Sequence, residues 1–469
     1  MRGTIPGYLR PHVERIEAYS RETNLDVYLR SSGERTMSDH AIHGRYPELN
    51  DARLFRMALD AGDIAYARAL LNMCLMARLV DANDRLAAER LKVTVRLSGE
   101  DVGVGRALAA WRTAASELER ELAAEALTPG LTMLAAAQRR WLDDYDSVRH
   151  GLGFDTQADL IRAVHEDVTG WLRKAERSLE ETRESFIREH AEWRRRDGRG
   201  DSPTMVAIPV SNVPVPSGAA GSEAAVRGTV SAWGFPDEAA RIPIDLVPRP
   251  GKLAGALCGR IDPPRDVRVT GQPTGGSLEY ALMLHEFGHG LHFTIGPDRA
   301  FDMFGDDQGI TEGFGRTFET VARQPRWFEL FVGITLDEEA AARLHFNAVM
   351  SARLDAVQVL YEHRLFTGTV DPVKEYIDAY RREIGIEMSP HLALTRMVFF
   401  LPLRPFYALY LYQADVFGDA LWRKLSAVGG VDWYANDRCR PLLAALFRSA
   451  CERGLDDLLH YVGAQSPTA

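Results

Sequence analysis

Apolar residues recur every three or four positions through most of the first two hundred residues. Segments 51–95, 104–126, 130–150 and 157–195 carry Leu, Ala, Met and Trp at that spacing, with Arg and Glu between them. That period predicts amphipathic helices. Asp155 or Thr156 supplies an N-cap for the long helix that follows Gly153 and Phe154. The character changes near residue 196. Arg196 to Pro203 (RDGRGDSP) is a cluster of helix breakers, and Pro209 to Ser222 is rich in Pro, Gly, Ser and Val. Short β-like runs follow at Met205–Val210, Ile242–Val247 and Val267–Thr270, separated by Pro and Gly. From about 278 to the end the pattern is helical again. The chain therefore reads as mainly α, with an N-terminal helical lobe over 1–200. A second lobe over 201–469 holds a small sheet within about 205–275. No repeat appears at solenoid periods.

Composition narrows the function classes. The chain has 469 residues, 46% hydrophobic and 26% charged, which is globular and excludes a disordered or collagen-like chain. A net charge of −10 argues against nucleic acid or an anionic membrane surface as partner. The longest apolar run, Met397 to Tyr412, is broken by Pro402, Arg404 and Pro405. It falls short of the roughly 20 residues that a membrane span needs. No signal peptide is legible at the start, and the four cysteines form no C-x-x-C pair. The expectation is a reduced, cytoplasmic protein, in which the Arg199-Gly200-Asp201 triplet is a solvated turn and not an adhesion motif.

The stretch Leu284 to His292 (LHEFGHGLH) carries chemistry. On a helix, positions i and i+4 share a face, so His285 and His289 can offer two imidazoles to one metal ion. Glu286, one residue on, can take a proton from a water at that metal. Chance alone yields H-E-x-x-H in roughly one chain of this composition in forty, so context must support it. It does: a strand-like run and the Gly271–Gly276 turn precede a helix that is apolar on its other faces. A catalytic zinc takes three protein ligands, so a third is required. Glu312 and Glu319 are seven apart and share a helical face. One can bind metal while the other hydrogen-bonds a ligand imidazole. Spacing does not choose between them, and Asp306 and Asp307 are further candidates. Arg316 could pair with Glu312 as its i+4 partner.

Three blocks resemble the thimet oligopeptidase and oligoendopeptidase F family of zinc metallopeptidases. The first is Leu284 to His292, close to H-E-[FL]-G-H-x-x-H. The second is Ile244 to Ala256 (IDLVPRPGKLAGA), similar to the family's D-x-Y-x-R-x-G-K-x-x-G-A segment. The third is Glu312 to Pro325 (EGFGRTFETVARQP), similar to its E-x-x-x-x-x-x-E block. Gly151 to Asp155 is a weaker match to a segment that opens a long helix. The likeness covers about 140–425. Glu312 with Gly315, and the Pro402-centred run, also resemble angiotensin-converting enzyme, and the Glu312–Glu319 block resembles carboxypeptidase Taq.

The resemblance implies a two-lobed helical body enclosing a deep channel. Beside the zinc helix it places a small sheet whose edge strand pairs with peptide, with Arg249–Ala256 near that edge. It implies one zinc per chain held by His285, His289 and Glu312, with Glu319 as the carboxylate behind a ligand imidazole and Glu286 as general base. Tyr410 or Tyr407 would donate to the oxyanion, and His292 and Arg404 would touch substrate. The sequence departs from the family after residue 395. The family's His and Gly-Tyr loop have no match there, and Leu403 stands where a Tyr is expected. Three functions therefore compete. The first is a zinc peptidase acting on short peptides. The second is a pathway-specific hydrolase acting on a small peptide-like amide. The third is a non-catalytic helical binding protein, against which the complete His285, Glu286, His289 and Glu312 set argues.

Overall fold

The computed structural model describes residues 5–467 apart from 98, 105–106, 108–110, 112–116, 166–167, 197–212, 216–220, 254, 273–274, 369–370 and 395–405. The expected strand Met205–Val210 and Arg404 lie outside the described residues. Two compact units are built from interleaved segments. The first comprises Met1–Ala77, Val210–Ala352 and Tyr410–Ala469; the second comprises Arg78–Pro209 and Arg353–Leu409. A single break at residue 200 follows chain order, whereas the units follow packing. Helix Val13–Ser31 covers strand Ala256–Asp262, with Asn24 Nδ2 donating to the Arg260 carbonyl at 2.7 Å. The Tyr28 ring lies against Gly259, where an added Cβ would fall 2.8 Å from it. Asn24 thereby supplies a partner for one main-chain carbonyl of that edge strand.

The sheet of the first unit has three strands, with Asp266–Gly271 central, Ile244–Asp245 parallel to it and Ala256–Asp262 antiparallel. Two of the expected strands are present. Ala256–Asp262 was not read from the sequence, because Gly259, Arg260 and Asp262 break the β pattern. It is an edge strand, in register with its neighbour through Cys258↔Val269 and Arg260↔Val267. The next element is helix Gly276–Ile295, buried on nearly every face because sheet and helices enclose it. Helix Gln308–Val321 crosses it closely. Gly288 and Gly315 permit that approach: a Cβ on Gly288 would lie 2.9 Å from the Phe314 carbonyl oxygen, and one on Gly315 would lie 2.7 Å from the His285 ring. Behind the pair sit Phe314, Phe318, Trp233 and Phe447, all essentially buried. The Trp233 indole N–H donates to the Tyr434 carbonyl at 2.8 Å, so this core leaves that donor satisfied.

Among the described residues the second unit is helical, with one hairpin absent from the sequence reading. Residues 51–95, read as helix, form Ala52–Asp60 and Ile64–Arg78, which but for Arg78 belong to the first unit, and Val80–Lys92 in the second, where the chain then turns into strands Thr94–Leu97 and Glu100–Gly103. Val95 and Val102 face each other across that hairpin, buried, while Thr94 and Glu100 are exposed. This is the two-residue alternation of a strand, too short to stand out beside helical neighbours. Thr156 is the N-cap expected, in a capping box with Asp159. The helix it starts ends at Val164, and a separate helix runs Val168–Arg196. All four cysteines are buried free thiols. No described helix is long and apolar enough to cross a membrane.

Candidate metal centre

His285 and His289 project from helix Gly276–Ile295 toward Glu312 on helix Gln308–Val321. Their Nε2 atoms are 3.1 Å apart, and Glu312 Oε2 lies 3.4 Å from His285 Nε2 and 3.7 Å from His289 Nε2. Two nitrogens bound tetrahedrally to one zinc at about 2.0–2.1 Å lie about 3.3 Å from each other. The three edges bracket that value, so the donor set fits a zinc ion. Electrostatics agree. Burial works against charge on His285, but hydrogen bonds to Glu312 and Glu319 outweigh it and push the imidazolium up to about 10. The carboxylates thus demand a positive charge at this point, which a metal cation meets. Burial pushes His289 down to about 4, so it stays a neutral imidazole with a lone pair to give.

Glu319 lies on the far side of His285 from Glu312. Its Oε2 lies 3.2 Å from His285 Nδ1, which turns Nε2 of that ring toward Glu312. Burial alone would raise the Glu319 carboxyl, but Arg323 and Arg316 hold it well below the usual carboxylate range. Neither arginine was assigned to Glu319 from the sequence, although they stand three residues before it and four after it, spacings that reach it on a helix. The other acidic candidates are engaged elsewhere. Asp307 caps helix Gln308–Val321, accepting from the Gly309 N–H at 2.9 Å, and pairs with Arg68. Asp306 accepts from Arg260 at 2.5 Å and from Thr311 at 3.3 Å.

Glu286 is buried beside the triad, where burial pushes its carboxyl up to about 7 against the pull of His285. A backbone hydrogen bond from Cys258 on the edge strand works the other way. His292 does not face a channel. It is fully buried among Phe293, Phe314 and Phe447, with ring centroids 5.0–6.2 Å away, and burial pushes it down to about 3. The seven-residue spacing to His285 does put it on the same helical side, but this helix is enclosed all round. A substrate contact for His292 is therefore withdrawn. Tyr407 and Tyr410 open helix Tyr407–Gly429 and are both half-buried; Tyr410 belongs to the first unit and Tyr407 to the second.

No family model matches the chain, and no curated protein matches it in sequence. Solved structures do match. PZ peptidase A with inhibitor 2 superposes with a TM-score of 0.63 at 15% identity, over 98% of this chain and 86% of that one. A protein assigned as oligoendopeptidase F gives 0.63 at 16%, over 100% and 91%. M32 carboxypeptidase from Deinococcus radiodurans R1 gives 0.52 at 13%, over 98% and 99%. The chain has the fold of these peptidases. The mainly-α metallopeptidase architecture expected from the three sequence blocks is therefore the one observed. At such identities the likeness speaks for the fold, and the chemistry has to be argued from the site.

Proposed function

We propose that this chain is a zinc-dependent peptidase that hydrolyses amide bonds of short peptides. The observation that carries the reading is the triad of His285, His289 and Glu312, whose ligand atoms lie within 4.8 Å of one another with Glu286 buried next to them. The peptidases that share the fold support it. Bound there, zinc would supply Lewis acidity, polarising a carbonyl and making water acidic near neutral pH.

The protein's own groups do the remaining work. Glu286 accepts the proton of the attacking water and passes it to the leaving nitrogen. Burial favours the protonated form of this carboxyl, which helps it hold the proton between the two steps. Glu319 keeps the proton of His285 on Nδ1, so that Nε2 remains a donor of electrons. Tyr410 donates its phenol O–H to the developing oxyanion. Ala256–Asp262, as an edge strand, has main-chain groups to offer an extended peptide. The substrate is a short peptide or a peptide-like small molecule. The departures from the family after residue 395 favour the second where the two differ.

Metal removal tests the reading. Purified protein should hold about one zinc per chain and cleave members of a pooled fluorogenic peptide library. Chelation should abolish cleavage, and added zinc should restore it. Zinc without any cleavage would move the substrate to a specialised amide. Protein that binds no zinc would overturn the proposal.

A further inference from the structure

Charged side chains continue from His285 away from the triad. Glu319 Oε2 is shared between His285 Nδ1 at 3.2 Å and Arg316 Nη1 at 3.3 Å. Arg323 Nη2 donates to the other oxygen, Oε1. Arg316 also forms an ion pair with Asp415, its Nε 3.3 Å from Oδ1 but without hydrogen-bond alignment. Asp415 lies on helix Tyr407–Gly429, five residues beyond Tyr410. Each of these four side chains is less than a fifth exposed, so solvent screens their charges weakly.

Two features go beyond what an imidazole needs from its supporting carboxylate. A single acceptor oxygen suffices to hold an Nδ1–H, yet Glu319 is gripped on both oxygens by guanidinium groups. Arg316 also lies within ion-pair distance of two carboxylates on two different helices, reached by separate nitrogens of one planar guanidinium. The quartet of Arg316, Arg323, Glu319 and Asp415 carries two positive and two negative charges. It therefore restricts geometry without adding net charge beside a site suited to a dication.

We propose that Arg316 is a positioning residue of the metal site: it holds Glu319 against His285 and ties that pair, through Asp415, to the helix that bears Tyr410. One side chain thereby links the motif helix, the helix of Glu312 and the helix of the phenol. The inference rests on the zinc-peptidase reading and deepens it.

The test compares Arg316→Ala, Arg316→Lys and Asp415→Asn with the wild type, all as full chains. Zinc affinity is read by competition with a chromophoric chelator, and kcat and KM on a peptide the wild type cleaves. Arg316→Ala should bind zinc roughly three- to tenfold more weakly, toward the low end for partners outside the ligand set. Arg316→Lys should recover part of that loss and leave kcat depressed, since an ammonium has one nitrogen where the guanidinium uses two. Asp415→Asn should keep zinc affinity within about twofold while kcat falls several-fold at constant KM, a split that general loss of stability would not give. Wild-type zinc affinity and kcat in Arg316→Ala would overturn the inference. If that variant does not fold, wild-type behaviour of both Arg316→Lys and Asp415→Asn would do the same. Failure of the wild type itself to bind zinc would instead sink the reading of the site.

Discussion

Two carboxylates in different units are buried and both are pushed up to about 7 by burial. Glu286 lies in the first unit and Glu362 in the second. Glu362 accepts from Gln358 and from the Ala408 N–H, each at 3.2 Å, and so closes an orphan donor at the start of helix Tyr407–Gly429. Glu286 stands next to two imidazoles and a third carboxylate. The shifted pKa is common to both, so it does not by itself mark a site. What differs is the company of groups that can hold a cation.

A second pair teaches the same. Glu319 and Glu383 are each clamped by arginines. Glu383 has Arg183 at 3.0 Å, Arg382 at 2.8 Å and Arg353 at 3.2 Å, and Arg353 also donates to its carbonyl at 2.6 Å. Arg183 and Arg353 come from two other helices and join them to the helix of Glu383, while Arg382 is its neighbour on the same helix. Glu319 has arginines as well, but one of its oxygens faces His285.

Changes at the triad should break the comparison most strongly. His289→Ala should lose zinc and turnover together, read as metal content and cleavage rate; retained zinc would mean another donor completes the site. Next comes the clamped pair. Glu319→Ala should weaken zinc binding by roughly ten- to a hundredfold. Glu383→Ala should leave zinc affinity unchanged and cost about 3–5 kcal/mol of stability, because it strands buried guanidinium charge. Equal zinc affinities in the two variants would erase the distinction. The smallest effect concerns pH. The folded pKa of Glu362 is raised above its unfolded value, so the native state keeps a proton that the unfolded chain has released. Stability should therefore fall as pH rises from about 4.5 through 7, by up to roughly 3 kcal/mol. Glu362→Gln should flatten that slope in denaturant titrations at pH 5 and 8, and an unchanged slope would refute the assignment.

The sequence made part of the site legible because its determinants are local. His285 and His289 are one helical turn apart, and helix spacing alone brings their rings together. Choosing Glu312 over Glu319, Asp306 or Asp307 needed the family likeness. The structure supplies the physical reason, since Asp307 caps a helix and Asp306 is held by Arg260 and Thr311. What stayed illegible depends on distant contacts. Asn24 meets the Arg260 carbonyl across 236 residues, so no local pattern could assign the N-terminal helix to the first unit. His292 was misplaced for a related reason: periodicity gives the face of a helix, but not whether that face meets a channel or Phe314 and Phe447. Hairpin Thr94–Gly103 was hidden because four-residue strands barely register beside long helices.

The most direct test of the central claim is zinc content and turnover measured together for wild type, Glu286→Gln and Glu362→Gln. Glu286→Gln should keep about one zinc per chain and lose turnover by roughly 10²- to 10⁴-fold. Glu362→Gln should keep both. Near-normal cleavage by Glu286→Gln would contradict the account, because the carboxylate assigned to move the proton would then be dispensable.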